Sequence, residues 1–255
     1  MPEDSIDDLF AETLSGDYDS DPSWNAVRGL RKLGSQAVFD RAADWCQSQD
    51  PLRRARGADI LAQIGVGVGQ PHGFPQESFA IISALALRET EPLPLASAIH
   101  ALGHLGDARA IEILVSQQSN QDADVRFAVA SALGTFAKDP LAASALIQLA
   151  GDPDADVRDW ATFAIGEFSG LDSPEVRGIL LRNFSDPSDD VRYEAMVGLA
   201  KRRDPRVLSA LIEALGQSDV SSAALEAASA MLGQTEVPEW ESGRFIDALR
   251  EKFGS

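Results

Sequence analysis

Cysteine is nearly absent from this sequence: 255 residues carry one thiol, Cys46. No disulfide can close within the chain, and a reducing, cytoplasmic setting is expected. Bases are scarce too, with 22 Lys and Arg against 40 Asp and Glu, a formal net charge of −18. That balance argues against a nucleic-acid binder, whose affinity comes mainly from cations neutralising phosphates. No apolar run is long enough to span a bilayer; the longest, Phe79 to Leu87, is broken by Ser83. Met1 to Asp8 holds neither a basic region nor an apolar stretch, so no secretory signal is read there. Aromatics are only 7%, whereas alanine, with 38 residues, is the commonest type. Small apolar side chains at helical spacing let helices approach closely, so the composition leans to an all-α protein.

What the sequence does have is self-similarity. Asp124-Val125-Arg126 to Gly134, Asp156-Val157-Arg158 to Gly166, and Asp190-Val191-Arg192 to Ala200 align without gaps, their valines 32 and 34 residues apart. Weaker copies end at Gly34, Gly65, Gly103 and Gly233. Each copy reads as a helix. An Asp-Pro pair, as at Asp152-Pro153, supplies an N-cap oxygen and a proline whose missing N–H costs nothing there. Val157, Ala161, Ala164, Ile165 and Phe168 then form one apolar stripe, and the glycine near the end is read as a stop. A second amphipathic set alternates with these helices, including 36–46, 76–87, 108–116, 140–150, 174–183, 205–215 and 244–253. The unit is helix, turn, helix, about 32 residues, repeated about seven times. One such unit cannot bury its own apolar face, so neighbours must stack as an α-solenoid.

The Asp-Pro-x-x-x-Val-Arg-x-x-Ala-x-x-Ala-Leu-Gly pattern resembles HEAT repeats, of the compact bacterial type also found in phycobilin lyases. The resemblance covers Asp21 to Gly233 and implies an all-α solenoid, with residues 1–255 as one array. Residues 1–20 read as an acidic N-terminal capping helix and 234–255 as a C-terminal one; Ile6, Leu9, Phe10 and Leu14 keep helical spacing among acids. The ends depart from the pattern, since Arg56 stands where the second copy should have its valine. The loop Val66 to Pro75 reads as a local insertion.

Groups that could carry chemistry each have a plainer reading. The Asp/Arg ladder (Asp122, Asp124, Asp152, Asp154, Asp156, Asp186, Asp189, Asp190 with Arg126, Arg158, Arg192) could hold calcium. Helix caps and pairs between repeats explain it better, because the ladder recurs with the repeat. His100 and His104 have metal-ligand spacing but no third ligand motif, so no metal is expected. Gly65, Gly67 and Gly69 follow no strand and precede no Lys-Ser/Thr, which speaks against a phosphate cradle. Cys46 reads as a small core residue. Nothing supports catalysis or a cofactor.

In HEAT solenoids the second helix of each unit lines the concave face, and by the resemblance this is the Val-Arg helix. Asp159, Trp160, Phe163 and Glu167 fall off the core stripe of one copy. The equivalents are Tyr193, Glu194, Val197 and Lys201 in the next copy, and Phe127, Ala128, Ser131, Thr135, Ala96, Ser97, His100 and His104 in the preceding ones. Trp160, Phe163, Asp159, Glu167, Tyr193, Glu194, Phe127 and His100 are therefore the expected partner-binding residues. Aromatics ringed by acids suit a basic protein partner. The expected function is a non-catalytic scaffold, an immunity or antitoxin-like inhibitor or an adaptor, acting as a monomer. The alternative is a phycobilin-lyase-like component handling a tetrapyrrole; HEAT-type DNA binding ranks last because the groove has few bases.

Overall fold

The computed structural model describes residues 3–67 and 70–254. Met1, Pro2, Val68, Gly69 and Ser255 lie outside the described residues, and with them the extreme ends of both capping segments and one of the three loop glycines. Among the described residues there are α-helices and two short 3-10 turns but no strand. In chain order the helices are α1 (Glu3–Glu12), α2 (Asp21–Leu33), α3 (Gln36–Trp45), α4 (Pro51–Ala62) and α5 (Pro75–Arg88). Then come α6 (Pro92–Leu105), α7 (Ile111–Ser116), α8 (Ala123–Gly134), α9 (Pro140–Leu149) and α10 (Ala155–Glu167). The last are α11 (Pro174–Asn183), α12 (Asp189–Lys201), α13 (Leu208–Leu215), α14 (Ser222–Leu232) and α15 (Ser242–Phe253).

The chain divides into two compact units, Met1–Phe136 and Ala137–Ser255. In the first, α4 packs on α6 and α6 on α8, with α3, α5 and α7 behind them. In the second, α10 packs on α12 and α12 on α14, backed by α9, α11 and α13. Each is a stack of helix pairs with its core between the two layers. Val157, Ala161, Ala164 and Ile165 are buried as the stripe predicts. Phe168 is not: it is the C-cap of α10, its N–H still bonded to the Ala164 carbonyl, and its side chain is 45% exposed. In the N-terminal segment α1 buries Phe10 edge-on against Trp45, ring centroids 4.8 Å apart, so the acidic helix covers the first repeat.

The caps and glycines correct the sequence reading in detail. Asp50 does cap α4 ahead of Pro51. In α10 and α12 the N-cap residues are Asp154 and Ser188, two positions after the Asp of each Asp-Pro pair. Asp152 and Asp186 instead accept from the N–H of Asp154 and Ser188, both at 2.9 Å, and so shape the turn before the cap. Nor do Gly103 and Gly166 stop their helices, which run on to Leu105 and Glu167. They mark close helix crossings: a Cβ on Gly103 would sit 2.8 Å from the Ala132 Cα, and one on Gly166 3.2 Å from the Gly198 Cα. The left-handed stop of α6 is Gly106, with φ 65°.

The recurrent arginine clamps two things at once. Arg158 donates from Nη1 to the carbonyls of Asp152 (2.9 Å) and Pro153 (3.0 Å), and its fork grips Asp186 of the next repeat at 2.8 and 2.9 Å. Arg54 does the same with the Ser48 and Gln49 carbonyls and Glu89. The guanidinium thus satisfies loop carbonyls that would otherwise lack donors, and the bidentate pair fixes the spacing between repeats. The hydrogen bonds from Arg158 hold the Asp186 carboxyl below the usual range. This is the structural role expected of the ladder.

Candidate functional site

On the second unit, α10 and α12 present the residues singled out from the sequence. Trp160 and Tyr193 are exposed, at 38% and 41%, while Phe163 is half-buried between aromatic neighbours. Its ring meets Trp160 edge-on at 5.7 Å and Phe168 at 5.1 Å, so three rings stiffen one another. Phe168 joins this cluster from the C-cap of α10.

Acids surround the rings. Lys201 pairs with Glu167 of α10 and, at 3.0 Å, with Glu226 of α14, so one cation neutralises two acids from neighbouring repeats. Among the described residues Asp159 and Glu194 have no such partner. The Asp159 Oδ1 is shielded from solvent yet accepts no hydrogen bond. Burial, then repulsion from Asp190 and Asp156, pushes the Asp159 carboxyl up to about 6. Burial, then repulsion from Asp159, Glu226 and Glu167, pushes Glu194 up to about 7, with Lys201 acting against the rise. Two half-buried carboxyls whose titration is raised toward neutral pH form a site that gains by meeting a cation.

Val197, Ala128 and Ser97, read as facing outward, are buried: the helices pack on both flanks, which widens the apolar stripe beyond one line. Phe127 and His100 belong to the first unit, where their rings meet at 6.1 Å across α8 and α6. His104 is exposed and His100 half-buried. Both line a cleft of about 300 Å³ with Tyr18, Asp19, Trp24, Arg31, Asp59 and Ser97.

That cleft was not foreseen from the sequence. Its floor is a buried network: the Tyr18 hydroxyl donates to Asp59 Oδ2 at 2.8 Å and lies 2.7 Å from the Ser97 hydroxyl. Arg56, almost wholly buried, donates to Asp59 at 3.2 Å and to the carbonyls of Thr13 (2.9 Å) and Tyr18 (2.6 Å). Its guanidinium lies over the Tyr18 ring, 4.0 Å from the centroid. Burial raises the Asp59 carboxyl against the pull of Tyr18, Arg56 and Arg31. Burial, aided by His104, pushes His100 down to about 4. The one signal in the sequence was Arg56, which looked like a defect at a valine position; because Arg54 makes the clamp that Arg158 makes, Arg53 takes the place of Val157 and Arg56 that of Trp160, where it is an anchor.

The helix pairs, the arginine clamps and the close glycine crossings recur with a fixed period, and comparison with known proteins places them. The family model described as HEAT repeats matches residues 80–166 and 143–232. The chain belongs to the HEAT-repeat family. Protein YibA of Escherichia coli (strain K12) is 29% identical over 253 residues, spanning 97% of this chain and 85% of YibA. The X-ray structure of the E. coli protein superposes with a TM-score of 0.76 at 27% identity, over 96% of this chain and 92% of that one. The complex of CpcE and CpcF of phycocyanin lyase from Nostoc sp. PCC7120 gives 0.50 at 17% identity, over 96% of this chain and 94% of that one. A designed armadillo repeat protein in complex with the peptide (KR)4 also gives 0.50, at 14% identity over 76% of this chain and 98% of that one. The last two likenesses extend to the helical-repeat fold alone. No helix among the described residues is long and apolar enough to cross a membrane.

Proposed function

We propose that this HEAT chain is a non-catalytic binding module that holds a basic segment of a protein partner on the α10–α12 face. The observation that carries the reading is the pair Asp159 and Glu194, both raised toward neutral pH beside exposed Trp160 and Tyr193, while the adjacent Lys201 is already spent on Glu167 and Glu226. A partner's guanidinium or ammonium would replace mutual repulsion by attraction, and the rings would shield the contact from water. The net charge of −18 would speed association by steering. Such a design suits an inhibitor of a cationic protein, of the immunity or antitoxin kind, or an adaptor. A bilin-handling role gains no support from Cys46, whose thiol is buried and pushed up to about 12 by that burial.

The test compares wild type with Trp160→Ala/Phe163→Ala in pull-downs from native lysate. Wild type is expected to retain a basic protein, and the double variant to lose it at an unchanged melting temperature. Truncating central aromatic anchors costs about 2 kcal/mol or more of binding. Equal capture by both forms, or a variant that melts early while still binding, would remove the reading.

Binding should also depend on pH in a defined direction. A cation favours the ionised carboxyls, so complex formation must expel the protons held at about 6 on Asp159 and about 7 on Glu194. Affinity is therefore expected to rise between about pH 5.5 and 7.5, with proton release on binding. In the free protein the sign is opposite, because both carboxyls are raised: their contribution to stability is present at low pH and lost as pH rises through 6 and 7. Calorimetric titrations in buffers of different ionisation enthalpy would measure the released protons. Affinity that stays flat or falls over this range would contradict the assignment.

A further inference from the structure

We infer that the cleft between α2, α4 and α6 is a binding site for a small aromatic carboxylate. It lies wholly within the first unit, and its volume of about 300 Å³ is at the lower end of small-molecule sites.

The floor is matched: Asp59, Tyr18 and Ser97 hold one another, and Arg56 is spent on Asp59 and backbone carbonyls. The wall is not. Trp24 has ring contacts with Tyr18, Arg31 and Arg56, but its indole N–H donates to nothing among the described residues. Arg31 gives Nε and Nη2 to the Asp59 carbonyl (2.9 and 2.6 Å) and Nη1 to Gln63 Oε1 (2.8 Å), which leaves part of its five-donor fork unmatched. Gln63, its oxygen committed to Arg31, turns its amide nitrogen to His104 Nδ1 at 3.4 Å. That contact puts the His104 proton on Nε2, a further open donor. The His100 ring touches Phe127 and makes no hydrogen bond among the described residues.

The wall therefore presents more donors than acceptors: an indole N–H, guanidinium N–H groups and the His104 Nε2–H, while the neutral His100 ring offers one of each. Charge agrees, because two guanidiniums, Arg31 and Arg56, face one buried carboxylate, Asp59. The opposing Asp19 stands exposed at the mouth, where water screens it. A carboxylate satisfies several donors at once through charge-assisted hydrogen bonds. The rings of Tyr18 and Trp24, with Ala62 and Ala101, offer an apolar wall to a flat body.

The experiment titrates the whole chain with phenylacetate, 2-phenylethylamine and 2-phenylethanol, three probes with the same ring and differing head groups, followed by NMR and calorimetry. Phenylacetate is expected to bind saturably and to shift the Trp24 indole N–H and the His100 and His104 ring signals. The amine and the alcohol are expected to bind at least about tenfold more weakly. His104→Leu, at an exposed ring, and Trp24→Phe, which keeps an aromatic ring but loses the N–H, should each weaken phenylacetate about tenfold with the melting temperature retained. An amine or alcohol that binds as well as the acid, or phenylacetate that leaves these signals unmoved up to its solubility, would overturn the assignment. Both outcomes are read on the wild-type chain, so they stand even if a variant fails to fold.

Discussion

Val157→Asp is expected to abolish cooperative folding of the second unit. Val157 is fully buried at the N-terminal end of α10, where the helix packs against α9 and α12. No cation within that core would meet the new carboxylate, and burying an unpaired charge costs at least about 5 kcal/mol, comparable with the whole stability of a domain. Val157→Ala is the calibrating variant, since it removes volume without adding charge and should cost about 2 kcal/mol. Thermal and urea unfolding followed by circular dichroism would separate the two. An aspartate variant that melts like wild type would place Val157 outside the core and discard the repeat alignment.

Arg56→Met has the second-largest expected effect, a loss of about 3–5 kcal/mol confined to the first unit. The substitution keeps much of the volume but leaves the Asp59 carboxylate with no paired cation and removes the donors to the Thr13 and Tyr18 carbonyls. The pH dependence identifies the cause. Asp59 is already raised by burial, and losing Arg56 raises it further. A carboxyl raised in the folded state contributes stability at low pH that disappears as pH climbs through its folded value. The deficit of the variant should therefore be larger at pH 8 than at pH 5, by equilibrium unfolding at both. Adding Asp59→Asn should recover part of the loss at pH 8. A pH-independent deficit, or none, would show that Arg56 contributes packing alone.

How much of this was legible in the chain depends on distance along it. The helices could be read closely because the period of Val157, Ala161, Ala164 and Ile165 is local, and the 32–34 residue spacing repeats it. Arg158 could be paired with an Asp of the next repeat because the ladder itself recurs. Gly103 and Gly166 were misread for a physical reason: a helix stop and a close helix crossing both call for a missing Cβ, and only the neighbouring helix distinguishes them. The aromatic and acidic residues of α10 and α12 were legible as off-stripe positions. Their energetic coupling was not, since Glu194 and Asp159 lie 35 residues apart in the chain. The cleft was invisible because Tyr18, Arg31, Asp59 and His104 come from successive repeats and share no motif.

The crossing of α10 and α12 has a bearing on the charge of the face they form. Gly166 and Gly198 touch so closely that a Cβ on either would fall within 3.2 Å of the other's Cα. Asp159 stands roughly two turns before Gly166, and Glu194 roughly one turn before Gly198. Two absent methyl groups therefore act as a ruler: they fix how near Glu194 is brought to Asp159, and so how strongly Glu194 resists giving up its proton. The hunger of this surface for a cation is set by backbone contact at one end of the helices as much as by the acidic side chains that express it.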